Sequence, residues 1–217
     1  MEYIFMDLDG TLTNPRLGIT KSVQYALAAN HIHEPDLDKL CCYIGPPLRA
    51  SFKEYHGLDD EEAGLAVSKY REYFTDSGIF ENEVYDGMER LLARLGKAGK
   101  KLIVATSKPE YFARKILEHF ALAGYFTDIC GAALDESRTA KEEVIRYAMD
   151  KNGIQDLTSV VMVGDRLHDV VGAKAAGIAS IGVLYGFGSR EELENAGADR
   201  IADTVEALYD TIMSLDE

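Results

Sequence analysis

Four short apolar runs stand out along the chain: Tyr3 to Asp7, Lys101 to Thr106, Ser159 to Gly164 and Ala179 to Leu184. Each is strand-length and near-continuously apolar, the pattern of a parallel strand buried on both faces. Turn residues and then helical spacing follow. Pro109 to His119 opens on a proline suited to a first helical turn, Lys141 to Lys151 is a second helix, and Asp169 to Ala176 is closed by Gly177. This β-α alternation predicts an α/β fold, a doubly wound, Rossmann-like parallel sheet that binds ligands at the carboxyl ends of its strands.

Residues 14–84 break the alternation, with helical patterns and no convincing strand. Thr20 can cap a helix running to Asn30, Pro47 to His56 is helix-like, and Asp60 to Asp76 is a longer amphipathic segment. About 70 residues is far more than the dozen or so that a crossover between parallel strands requires. The expected organisation is a catalytic core of residues 1–13 plus 85–217, with an inserted all-helical cap domain at 14–84.

The composition supports burial of a core: 217 residues, 47% hydrophobic and 28% charged. Against 37 Asp and Glu stand 23 Lys and Arg, a net charge of −14. That is the wrong sign for a nucleic-acid polymer or an anionic membrane surface, so neither is expected as a partner. The excess leaves open whether some carboxylates gather around a cation. An apolar N-terminal run ended by Asp7, with no basic segment before it, does not read as an export signal, and no run of about 18 apolar residues occurs. Three cysteines, Cys41, Cys42 and Cys130, cannot all pair within one chain and lack metal-ligand spacing. They read as small buried hydrophobes in a cytoplasmic protein.

The candidate chemistry sits at strand ends. Asp7-Leu8-Asp9-Gly10-Thr11 places two carboxylates beside a glycine that allows a sharp turn. Two buried anions need a compensating cation or proton. Val163-Gly164-Asp165 ends another strand. If the two strands are neighbours, Asp7, Asp9 and Asp165 with waters make a reasonable octahedral Mg²⁺ site. Asp169, four residues on, reads equally as a ligand or as a helix cap. At Thr106-Ser107-Lys108-Pro109 a hydroxyl and free N–H groups open a helix, a ready phosphate corner. Lys141 begins a helix, where the dipole disfavours a cation, so it reads either as a surface group or as a residue placed for an anion.

In that order, Asp-x-Asp-Gly-Thr, strand-Thr, Lys and Gly-Asp-x-x-x-Asp resemble the motif set of the haloacid dehalogenase superfamily. The resemblance spans Ile4 to about Leu184. Ile44-Gly45-Pro46-Pro47-Leu48 and Gly182-Val183-Leu184-Tyr185-Gly186-Phe187-Gly188 are similar to the branch containing phosphoglycolate phosphatases and 5′-nucleotidase-like members. The resemblance implies a phosphatase of small phosphate monoesters. Asp7 would be the nucleophile that forms an aspartyl-phosphate, and Asp9 the general acid and base. Asp7, the main-chain carbonyl of Asp9 and Asp165 would hold Mg²⁺. Lys141 and Thr106, helped by Ser107, would bind phosphoryl oxygens, with Thr11 and Asp169 in support. Glu142 follows Lys141 where related chains often carry proline, and either Thr106 or Ser107 could supply the hydroxyl.

A dehalogenase has no leaving alkoxide to protonate and lacks the second aspartate, so Asp9 favours phosphate ester hydrolysis. A phosphomutase would use the same motifs, and a non-catalytic phosphometabolite sensor would not need Asp9. A helical cap suits a small phosphorylated metabolite, with Gly45, Pro46 and Pro47 in a rigid cap loop and Arg49 or Lys53 meeting a second polar or anionic group of the substrate.

Overall fold

The computed structural model describes residues 1–135 and 137–216. In chain order its main elements are β1 (Tyr3–Met6), α1 (Arg16–Ala29), α2 (Leu48–His56), α3 (Asp60–Asp76), α4 (Met88–Lys97), β2 (Lys101–Pro109), α5 (Glu110–His119), β3 (Asp128–Ala132), α6 (Lys141–Lys151), β4 (Val160–Gly164), α7 (Leu167–Ala176), β5 (Ala179–Val183), α8 (Arg190–Ala196), β6 (Arg200–Ala202) and α9 (Val205–Met213). The six strands form one parallel sheet in the order β3-β2-β1-β4-β5-β6. The sheet and its flanking helices give the α/β, Rossmann-like fold expected from the apolar runs.

β1 is central because it is apolar on both faces. Phe5 pairs in register with Ile103 on one side and Met162 on the other. Phe5, Ile103, Ala105, Val160 and Met162 share one face, packed with Val144, Ile145 and Ala148 of α6 and Ala173 of α7. Burying a Phe5-sized side chain contributes about 2–3 kcal/mol before entropy is counted. Ile4, Met6, Leu102 and Val104 are equally buried and, by strand alternation, face the other way, where α4 packs on β2 and α9.

The chain divides into two compact units, Met1–Asn14 with Val84–Glu217, and Pro15–Glu83. Within the second, α1 packs on α3 and α3 on α2. Asp59 caps α3, accepting the N–H groups of Glu61 and Glu62 at 2.9 Å, while Glu62 accepts the N–H of Asp59 at 3.0 Å. Among the described residues no helix is long and apolar enough to cross a membrane.

Several local expectations needed correction. Thr20 does not cap α1: the helix starts at Arg16 after Pro15, and the Thr20 hydroxyl donates to the Arg16 carbonyl at 2.6 Å. β2 runs on to Pro109 because Pro109 pairs with Ala132 across an irregularity after Thr106. Cys130 is buried, whereas Cys41 and Cys42 are partly exposed.

Candidate active site

Pairing of β1 with β4 is what assembles the site. Met6 lies beside Val163, and the Asp7 N–H donates to the Val163 carbonyl at 2.9 Å, so Asp7 and Asp165 leave neighbouring strands at the same end. Beyond Asp7 the chain coils tightly: the Leu8 carbonyl accepts N–H groups from Leu12 at 2.9 Å and Thr13 at 3.0 Å. Gly10 makes this coil possible. Its φ of +82° suits glycine, and a Cβ there would collide with the Asp165 carboxylate.

Lys141 opens α6, and its side chain runs inward rather than to solvent. The ammonium lies 2.9 Å from Asp7 Oδ1 and 2.7 Å from Asp169 Oδ1, and donates to the Ala105 carbonyl at 3.1 Å. Glu143 accepts the N–H groups of Thr139 and Ala140, which secures the helix start that aims Lys141. Asp169 has two roles at once: Oδ2 accepts the Arg166 N–H at 3.0 Å and so caps α7, while Oδ1 faces Lys141. Asp9 forms a buried ion pair with Lys108. Thr106 is buried, its hydroxyl oxygen accepting the Lys108 N–H at 3.2 Å, and Ser107 is partly exposed.

Charge and burial define the electrostatics. Asp7, Asp9, Asp165 and Asp169 are buried with Lys108 and Lys141, so the fully ionised cluster carries two uncompensated negative charges. Burial pushes Asp165 well above the usual carboxylate range, with the Asp169 charge adding to it. Burial also raises Asp9, against the pull of Lys108. Asp169 rises to about 6, again through burial and against Lys141. For Lys141 burial works downward, but Asp169 and Asp7 together outweigh it and raise its pKa.

A divalent cation fits this donor set. Ligand atoms of Asp7, Asp165 and Asp169 lie within 4.8 Å of one another. Asp165 Oδ1 and Asp9 Oδ1 are shut off from solvent without a hydrogen-bond partner among the described residues, as are the hydroxyls of Thr11 and Thr13. Oxygen donors and an excess of two negative charges suit Mg²⁺. One oxygen of the Asp9 carboxylate, Oδ2, is engaged by Lys108.

The structure thus brings Asp7, Asp9, Thr106, Lys141, Asp165 and Asp169 to one end of the sheet. Gly45, Pro46, Arg49 and Lys53 belong to the smaller unit. There Gly45 has a φ of +104°, and α2 presents Arg49 and Lys53 to Asp60: Arg49 donates to its carbonyl at 3.1 Å and Lys53 pairs with its carboxylate at 2.7 Å. Sequence reasoning gave no role to Lys108, whose available signal was a cation two residues past Thr106. It also missed the Phe187 N–H, which donates to Asp165 Oδ2 at 2.8 Å and has no sequence signal beyond its glycine-flanked loop.

Comparison with known proteins places these residues in a wider group. The family model described as haloacid dehalogenase-like hydrolase matches residues 4–183. A 5′-nucleotidase of Pseudomonas aeruginosa is 52% identical over 190 residues, covering 88% of this chain and 86% of its own. Tyrosine-protein kinase PtkA of Mycobacterium tuberculosis is 38% identical over 216 residues, covering 97% of this chain and 72% of its own. Among solved structures, one described as a predicted phosphatase from Clostridium acetobutylicum superposes with a TM-score of 0.96 at 50% identity, covering 98% of each chain.

Proposed function

Because the chain belongs to the haloacid dehalogenase-like hydrolase family, we propose that it is a Mg²⁺-dependent phosphatase of small phosphate monoesters, acting through an aspartyl-phosphate on Asp7. The observation that carries this reading is the buried cluster in which Lys141 touches Asp7 and Asp169 while Asp9 stands apart, paired with Lys108. Two aspartates two residues apart have different partners, and different partners allow different roles.

Asp7 attacks phosphorus as the bond to the leaving oxygen breaks, and Asp9 gives that oxygen its proton. Water then attacks the aspartyl-phosphate, Asp9 takes a proton from it, and phosphate and free Asp7 are released. The raised pKa of Asp9 favours the protonated form that the first step uses. Lys141 and the Thr106 hydroxyl, with N–H groups around Ser107, hold the phosphoryl oxygens over which transition-state charge spreads. Asp7, the Asp9 carbonyl and Asp165 would hold Mg²⁺, with Asp169 orienting Lys141. When bound, the cation neutralises the anionic crevice and polarises a phosphoryl oxygen. A phosphometabolite sensor would gain nothing from Asp9, which disfavours that alternative.

The preferred substrate is a nucleoside 5′-monophosphate, in line with the relative named 5′-nucleotidase, and phosphoglycolate is the second ester to compare. Phosphate release from a panel of phosphorylated metabolites is expected with Mg²⁺ and not with chelator, and Asp7→Asn abolishes it. Activity that survives Asp7→Asn, or a wild-type protein inactive on every ester, overturns the reading. Transfer of phosphate to a second hydroxyl of the substrate, in place of release, would establish a mutase.

A further inference from the structure

The loop after β5, residues 184–189, is built tightly around Asp165. Phe187 donates its N–H to Asp165 Oδ2 at 2.8 Å. Gly186 lies against the Asp165 side chain and the Gly10 carbonyl, and Gly188 against the Asp165 carbonyl, so closely that a Cβ at either would collide. Tyr185 immediately precedes these contacts. Its ring meets that of Tyr85 edge-on, with centroids 5.0 Å apart, which fixes its place.

The Tyr185 hydroxyl oxygen is shut off from solvent and has no hydrogen-bond partner among the described residues. Asp165 Oδ1 is in the same condition. A buried donor or acceptor left unpaired is penalised, and such groups are rare in folded proteins. The two lie within electrostatic reach of one another: burial first, and then the Asp165 charge, raises the Tyr185 pKa, so the phenol keeps its proton. Each lacks a partner and neither pairs with the other. A divalent cation held by Asp165 would take Oδ1 as a ligand, and a water that it carries would give the phenol a partner. Mg²⁺ suits this arrangement because it dehydrates reluctantly and keeps several waters in protein sites.

We propose that Tyr185 is a positioning residue for the divalent cation, its hydroxyl hydrogen-bonding with a water of the cation's hydration shell and coupling the 184–189 loop to metal binding. The proposal rests on the cation reading given above. Groups of this kind, which orient a metal's ligands from outside, are typically worth about 10–100-fold in metal affinity.

Tyr185→Phe removes only the hydroxyl and keeps the ring against Tyr85. Two measurements on the full-length protein then move in opposite directions. In chelator, the Tm of Tyr185→Phe equals or exceeds that of wild type, because an unpaired buried donor has gone. In titration calorimetry with MgCl₂, the variant binds about tenfold more weakly or worse. A lower Tm in chelator would make the hydroxyl an ordinary structural group and overturn the proposal, as would unchanged Mg²⁺ affinity beside a wild type that binds. A wild type that binds no Mg²⁺ overturns the cation reading and this proposal together.

Discussion

Burial drives the Asp9 carboxyl toward its protonated form while Lys108, its ion-pair partner, pulls it back. In the proposed mechanism this balance sets the pH at which Asp9 acts as an acid. Lys108→Met keeps a buried stem and deletes the charge, so the Asp9 pKa rises further. For an alkyl phosphate, whose leaving oxygen needs a proton, the alkaline limb of kcat/KM is expected to move up by about one pH unit or more. A pH–rate profile of the variant with its limb unmoved would remove Lys108 from control of the acid. Asp7, Asp9, Lys141 and Asp165 were legible as residues because Asp-x-Asp-Gly-Thr, Lys and Gly-Asp-x-x-x-Asp follow one another in the order of a known motif set. Lys108 was not, because a lysine just past an apolar run looks the same in sequence whether it is solvated or set against an aspartate.

The connections between elements carry much of the site's precision, and Gly10 and Gly57 separate two causes of that. Both have positive φ, +82° and +66°, but a Cβ at Gly10 would strike the Asp165 carboxylate whereas one at Gly57 meets nothing within 4 Å. Alanine at Gly57 therefore bears only the left-handed backbone penalty, about 1–2 kcal/mol, and Mg²⁺ affinity is retained. Alanine at Gly10 displaces Asp165 as well, and is expected to cost more in urea unfolding and to abolish Mg²⁺ binding by calorimetry. Equal losses from the two would show that backbone conformation alone matters at Gly10. Strands β1, β2, β4 and β5 were readable from their apolar runs, and α3 from its spacing. β3, Asp-Ile-Cys-Gly-Ala, and β6, three residues at the sheet edge, were not, because short strands with polar or glycine positions are defined by the neighbour they pair with. The same holds for α1, whose start depends on Pro15 rather than on Thr20.

For the whole molecule, the buried carboxylates link folding to protons and, on the proposed reading, to Mg²⁺. Asp9, Asp165 and Asp169 have pKa values raised above those of an unfolded chain, Asp169 to about 6 from 3.8. Between those values the folded state holds more protons than the unfolded, so their contribution to stability falls as pH rises through that window. Exposed carboxylates such as Asp60 and Glu143, lowered by Lys53 and by backbone N–H groups respectively, titrate in the opposite sense. The clean readout is therefore the increment in Tm on adding Mg²⁺, which is expected to be small near pH 4.5 and to grow toward pH 7 as the cation replaces protons. An increment independent of pH in differential scanning calorimetry would argue against a cation among these carboxylates. Of the net charge of −14, this cluster is the part that the proposed chemistry uses. The amino-acid sequence by itself determined the α/β order of elements and the identity of the motif residues, because apolar runs, turn glycines and helix signals are local. Only the tertiary structure decided that Lys108 holds Asp9, that Asp169 both caps α7 and meets Lys141, and that the Tyr185 hydroxyl is buried with no hydrogen-bond partner among the described residues, because burial and partnership arise where distant segments pack.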